Sequence, residues 1–428
     1  MKEQNYLNNV ISTRNNNSII LYIINLIIGV LIIGITNLPS SSAVPIFKVV
    51  DTPLGAISFT RITLLMTLLI CIMYLLLVGK VPKLSSIDVS MYLLALTVII
   101  NYKDVTKLAY FFLVIIGSYF LGKIIVFFRF ESYLRKSIII GGIIQAILVI
   151  YSTYVNPIIT SAGENWWYAG TNGIEGAISS VRASGTIGHP VVLAAVLMPS
   201  VLILLDDILT KKGRIILFLQ VPIILTILFA IFLTYSRGTW LSLIGVFIYI
   251  LYKYGVFKKL KSWVIGTVIL IAFSLSPFAA DISQRLALTD SGHFSFSHRQ
   301  YMYGWSFQRV LEDPISFLFG HGIGGSKILL QEYPPPDALL VIDNIYLTFL
   351  VEMGVLGLGL LGFTIYKSIK VYSMQKLNGN MWVLFIILGL SLNGITFEIY
   401  NWEQIGSLFW ILIGMASAKR YCLLHSKY

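Results

Sequence analysis

Residues 342–366 read IDNIYLTFLVEMGVLGLGLLGFTIY, an apolar run long enough to cross a bilayer as a helix. Runs of similar length recur along the whole chain. Strands of a membrane barrel would be about half as long and would alternate apolar with polar residues. The reading is therefore all-α and membrane-spanning. Composition agrees: 57% of the 428 residues are hydrophobic and only 12% charged, against about 25% charged in a soluble domain, and mean hydropathy is +0.83. Too little polar surface exists to cover water-soluble globules.

Spans are expected near 18–37, 57–79, 87–102, 106–128, 137–155, 188–206, 214–234, 238–252, 262–280, 342–366, 381–397 and 404–418, about twelve in one polytopic transmembrane domain over 1–428. The first run is too long for a signal-peptide core and has no A-x-A cleavage signal, so it is taken as an uncleaved span. With both termini inside, 20 of the 31 lysines and arginines fall on inner segments and 14 of the 19 acids outside or at outer helix ends. The positive-inside rule then places both termini in the cytoplasm. The +12 net charge reports that orientation and attraction to anionic membrane lipids, not nucleic-acid binding. Two cysteines, Cys71 and Cys422, supply neither a disulfide framework nor a four-ligand zinc site.

Two outer connections are long, 156–187 and 281–341, and long loops carry function. The second, between the ninth and tenth spans, holds Trp305 with Phe294, Phe296, Tyr301 and Tyr303, an amphipathic stretch near 299–312 and Pro334-Pro335-Pro336. It is expected to be a partly helical extracytoplasmic subdomain on the membrane surface. Arg237, in Thr234-Tyr235-Ser236-Arg237-Gly238-Thr239-Trp240, sits at an outer mouth against the positive-inside bias. A guanidinium there suits a phosphate or diphosphate, which it can clamp with two parallel hydrogen bonds; snorkelling to headgroups is the simpler alternative. Arg182 before Gly185-Thr186-Ile187-Gly188-His189-Pro190, and Arg299 in His298-Arg299-Gln300-Tyr301, are placed similarly.

Asp343 opens the tenth span. It is read either as the helix cap or as a general base taking a proton from a sugar hydroxyl. Glu398 ends the eleventh span as a solvated helix end or a sugar contact beside Tyr400 and Trp402. Gly320-His321-Gly322-Ile323-Gly324-Gly325 matches a dinucleotide fingerprint without its βαβ setting, leaving a flexible turn or an anion cradle of backbone amides. His293, His298 and His321 with Asp290, Glu312 and Asp313 fit no metal-ligand spacing. Lys123 lies within a span and is the chief exception to ionisable residues clustering at outer ends.

From about Arg182 to Asn401 the sequence resembles the bacterial O-antigen ligase and polymerase superfamily. The matching features are an outer arginine before Gly-x-x-Gly-His-Pro, the Ser-Arg-Gly-x-Trp turn, an arginine before aromatics in a large outer loop, a Gly-x-Gly turn, and a pair opening a span with Gly354 and Gly357 further on. Ligases carry histidine in that pair, whereas this chain has Asp343-Asn344, which favours a repeat-unit polymerase. The resemblance implies a glycosyltransferase of the bacterial cytoplasmic membrane with its active site outside. Its donor and acceptor would be undecaprenyl-diphosphate-linked glycans; a flippase and a chain-length regulator are implied partners. Arg237, Arg299 and Asp343 would be catalytic, and Arg182, His189, Tyr301, His321, Gly322, Asn344 and Glu398 would contact substrate. No cofactor is implied, because guanidinium groups can do a metal's work on a diphosphate leaving group. A ligase to another acceptor is the nearest alternative. A secondary transporter or lipid-glycan flippase is the rival of another class, and it calls for ionisable residues at the midplane.

Overall fold

The computed structural model describes residues 29–30, 34, 48–52, 55–58, 61–62, 64–66, 69, 84–127, 129–154, 182–210, 214–258, 294–374 and 381–425. The expected span 262–280, most of 18–37 and 57–79, and the loop segments 156–181 and 281–293 (with Asp290 and His293) lie outside these residues.

Within them the chain is helical except for one antiparallel ribbon, β1 (Lys48–Thr52) with β2 (Gly55–Ser58). Helices stand where nine of the spans were expected: α1 (Ser86–Ile100), α2 (Val105–Phe127), α3 (Glu131–Tyr154), α4 (Pro190–Thr210), α5 (Arg214–Leu233), α6 (Arg237–Lys253), then, after three helices of the long second connection, α10 (Ile345–Ser373), α11 (Met381–Asn393) and α12 (Glu403–His425). The helices of that long connection are α7 (Phe294–Val310), α8 (Pro314–Phe319) and α9 (Gly325–Glu332). Among the described residues α2, α3, α4 and α10 are long and apolar enough to cross a membrane; α1, α11 and Phe218–Leu233 of α5 are shorter apolar helices.

In lipid, apolar burial does not drive helices together, so small residues that let backbones approach decide the packing. The closest crossing is α2 on α12. A Cβ on Gly122 would lie 1.9 Å from the Ile411 carbonyl oxygen, and one on Gly414 1.9 Å from that of Tyr119. Gly359, on α10, has nothing within 4 Å of the same position. Gly414→Leu is therefore expected to abolish monodisperse protein in detergent chromatography. Its cost should exceed the roughly 1–3 kcal/mol of ordinary overpacking, since backbone must move. Gly359→Leu is expected to elute as wild type, and equal behaviour of the two variants would contradict this packing.

The polar contacts sort the helix ends into two faces. On one face Lys123 on α2 pairs with Asp88 of α1 at 2.6 Å, Tyr119 and Ser417 donate to the same carboxylate, Arg135 pairs with Asp207, Lys419 with Glu131, and Lys253 donates to the Ser373 carbonyl. Every one of these joins segments that the charge count assigned to the inside, or the helix ends beside them. The span cation Lys123 thus has a buried partner at a helix end, where the transporter alternative calls for a midplane site. On the other face meet the segments assigned to the outside. There α7 and α9 pack on the start of α10 through Met302, Trp305, Val310, Leu330, Ile342, Leu347, Leu350 and Val351, a core separate from that of the bundle. The Trp305 indole N–H donates to the Tyr333 carbonyl at 3.0 Å.

Candidate functional site

The opening of α10 corrects the expected cap. The side-chain oxygen of Asn344 accepts from the amides of Tyr346 at 2.9 Å and Leu347 at 3.2 Å, so Asn344 is the N-cap and Asp343 is not. Asp343 lies one residue outside the helix at φ +55°, in the left-handed region that Asp tolerates better than most residues. Released from capping, its Oδ2 is 3.4 Å from Nη2 of Arg299 on α7. Side-chain exposures of 29% and 31% leave the pair open to a ligand. The Arg299 Nε–H is buried with no hydrogen-bond partner among the described residues, so this guanidinium has donor capacity to spare.

The last residue of α11 and the connection from α11 to α12, residues 393–402, are where the other candidate segments meet. The Asn393 side-chain amide donates to Thr239 Oγ1 at 3.1 Å, and a Cβ on Gly238 would stand 2.1 Å from Thr396 Oγ1, so the first turn of α6, which begins with Arg237, is pressed on this connection. The Ile345 amide donates to the Gly394 carbonyl at 2.9 Å. Glu398 Oε1 accepts from the Ile342 amide at 3.2 Å and the Thr348 hydroxyl at 2.8 Å, and Oε2 accepts from the Asn401 amide. Arg182 Nε donates to the Thr234 carbonyl at 2.9 Å, and the His189 ring lies 4.8 Å from Trp402 and 6.4 Å from Phe397, centroid to centroid. Arg182, Arg237, Asp343 and Glu398 are more than 200 residues apart along the chain at their extremes, yet their segments meet around residues 393–402.

Several expected contacts change meaning. Glu398 is not a solvated helix end: burial, and then the negative charge of Asp343, raise its carboxyl above the usual range, while its hydrogen bonds from Thr348 and Asn401 and the charge of Lys107 oppose that shift. Tyr400 is buried with its hydroxyl donating to Glu352 Oε2 at 2.7 Å, so it is not beside Glu398 as a sugar platform. His189 is buried, its ring packed on Trp402 and Phe397 rather than presented at a surface. Tyr301 is two residues from Arg299 and hence across the helix from it. The aromatic on the Arg299 face is Tyr303, whose hydroxyl accepts from the Asn344 amide at 3.3 Å. Helical spacing could have picked Tyr303 in advance.

The glycine turn is neither flexible nor an anion cradle. Its amides are engaged from Gly320 to Gly325: Gly320 to Ser316, His321 to Val351, Gly322 to Glu352, Ile323 to Asn101 and Gly325 to Gly322 through backbone carbonyls, and Gly324 to the Glu352 side chain at 3.1 Å. The His321 ring is turned to the Arg309 carbonyl, 2.9 Å away. Gly320 and Gly354 both have positive φ, and a Cβ on either would lie 2.4 Å from backbone, on Glu352 and on Leu318 respectively. Glu352, overlooked in the sequence because it sits mid-span, anchors this strap. The histidines and acids weighed as metal ligands are separately engaged: Glu312 with Arg309, Asp313 as the cap of α8, and His298 with Asp337. Among the described residues no three His, Cys, Asp or Glu side chains converge.

Residues 222–362 match the O-antigen ligase family model. That stretch runs from α5 through most of α10 and includes Arg237, Arg299 and Asp343. No curated protein matches the sequence.

Proposed function

We propose, from an O-antigen ligase match over residues 222–362 in a membrane protein, that this chain polymerises polyprenyl-diphosphate-linked oligosaccharide repeat units at the outer face of the bacterial cytoplasmic membrane. The match supports the O-antigen ligase and polymerase superfamily and a glycosyl-transferring activity. The observation that carries the finer proposal is the partly exposed Arg299–Asp343 pair, with Asp343 relieved of capping by Asn344.

In this mechanism Arg237 and Arg299 bind the diphosphate of the donor and stabilise the negative charge that grows on it as the bond from the anomeric carbon to the diphosphate oxygen breaks. The acceptor hydroxyl, on the sugar of a second lipid-linked unit, attacks that carbon. Its proton passes to Asp343 and polyprenyl diphosphate leaves with the bonding electrons. Arg182, whose Nε–H is held by Thr234, and Tyr303 with Asn344 border the same mouth. Glu398 holds the Asp343 segment, and the glycine strap with His321 and Gly322 supports α10. A flippase delivers the substrate and a chain-length regulator acts on the product.

The test uses protein reconstituted in vesicles with a labelled lipid-linked repeat unit supplied outside. A ladder of multiples with release of polyprenyl diphosphate is expected. Transfer only to a different acceptor would make the chain a ligase, and no transfer would remove the function. In the same vesicles Lys327→Cys should react with an impermeant maleimide from outside and Met374→Cys should not. Both positions are exposed to solvent or lipid rather than buried, and the opposite labelling would put the site in the cytoplasm.

A further inference from the structure

His298 precedes Arg299 on α7 and is itself buried. Its Nδ1 is 2.7 Å from Asp337 Oδ2 and its Nε2 is 2.9 Å from the Val341 carbonyl oxygen. A backbone carbonyl only accepts, so Nε2 carries hydrogen. The Asp337 carboxylate also only accepts, and its other oxygen already takes the Leu339 amide at 3.1 Å. A neutral imidazole has one N–H and can satisfy one of these partners; the imidazolium satisfies both. Two residues after Val341 comes Asp343, and between them the Ile342 amide is held from the other side by Glu398. The backbone that leads into the φ +55° conformation of Asp343 is thus gripped on its carbonyl by His298 and on its amide by Glu398.

We infer that His298 is a buried imidazolium that latches the arginine-bearing helix to the segment carrying Asp343, a positioning residue that sets the distance between Arg299 and Asp343. It touches no reacting atom; it acts through its two neighbours. The inference rests on the proposed roles of Arg299 and Asp343 for its consequence in turnover, but the charge state and the latch are testable without any turnover.

The first measurement is nitrogen NMR of full-length protein labelled at histidine, with the His298 signals identified by their loss in His298→Gln. Both ring nitrogens are expected to resonate as protonated nitrogens at neutral pH, and a lone-pair nitrogen would overturn the charge. The second is amide exchange of the 337–345 segment. In His298→Gln it should quicken by roughly tenfold, as loss of a hydrogen bond to a charged group implies, and wild-type protection would overturn the latch.

Asp337→Asn guards against a variant that fails to fold. Its oxygen can still take the Leu339 amide while its NH₂ donates to Nδ1, so both contacts survive with a neutral ring. It should show one lone-pair nitrogen and wild-type exchange; a ring still doubly protonated there would remove the argument from acceptor pairing. In the polymer assay His298→Gln should lose roughly 10²-fold in turnover, the scale of a misplaced reacting group, and unchanged turnover would reduce His298 to a structural contact. A wild-type chain that transferred no glycan would sink the functional proposal while the ring and exchange signals still decided the latch.

Discussion

Asp343→Asn is expected to insert and fold as the wild type and to lose roughly 10²–10⁴-fold in glycan product, the range for removal of a general base. Three observations make the variant clean. Asn344 caps α10, so no cap is lost. Asparagine occupies the left-handed region at φ +55° as readily as aspartate. The contact with Arg299 is long and about 30% exposed on both sides, which puts its worth to stability near the ~0–1 kcal/mol of surface pairs. Protein quantified in the same membranes as a surface-glycan gel separates folding from chemistry, and single lipid-linked repeats should accumulate. Product at the wild-type level would strike Asp343 from the mechanism. Asp343→His should recover part of the activity, since histidine also tolerates positive φ and imidazole accepts a proton.

Arg237→Lys is the second large effect, about 10²–10³-fold in initial rate at saturating donor, comparable to losing one donor that faces developing negative charge. The substitution keeps the charge and removes the planar fork that takes two oxygens of a diphosphate together. The surrounding backbone should hold, because it is fixed by other residues. Tyr235 adopts φ +50°, Gly238 is packed on Thr396, and the hydroxyls of Ser236 and Thr239 are 3.0 Å apart. A rate within a few-fold of wild type would leave Arg237 as a membrane-surface cation only.

The amino-acid sequence by itself determined the class of the molecule. Runs such as 188–206 and 342–366 contain too few polar groups to face water, and in lipid only a helix satisfies their backbone within one segment; α4 and α10 lie on them. It also determined which helix ends share a face, because lysine and arginine are sorted by the energetics of insertion and not by tertiary contact. Arg237 and Asp343 stood out in the sequence as candidates because each is a charge between apolar runs, and Arg299 because it precedes aromatic residues in a long connection.

What only the tertiary structure decided is what each polar group faces. The cap moved by one residue, from Asp343 to Asn344, because the path of the incoming segment is gripped by His298 and Glu398, which come from positions 45 residues before and 55 after Asp343. The glycine turn 320–325 read as a flexible turn or an anion cradle because most acceptors of its amides are remote; they come from Asn101 and the Val351–Glu352 stretch as well as from nearby Ser316 and the turn itself. Glu398 looked like a solvated helix end, and hydrogen bonds from Thr348 and Asn401 made it a half-buried brace, while His189 proved to be packed on Phe397 and Trp402. Local sequence carries hydropathy and charge, which the membrane reads directly; hydrogen-bond partners are set by which distant segments the bundle brings within about 3 Å, and no residue's own neighbours specify that.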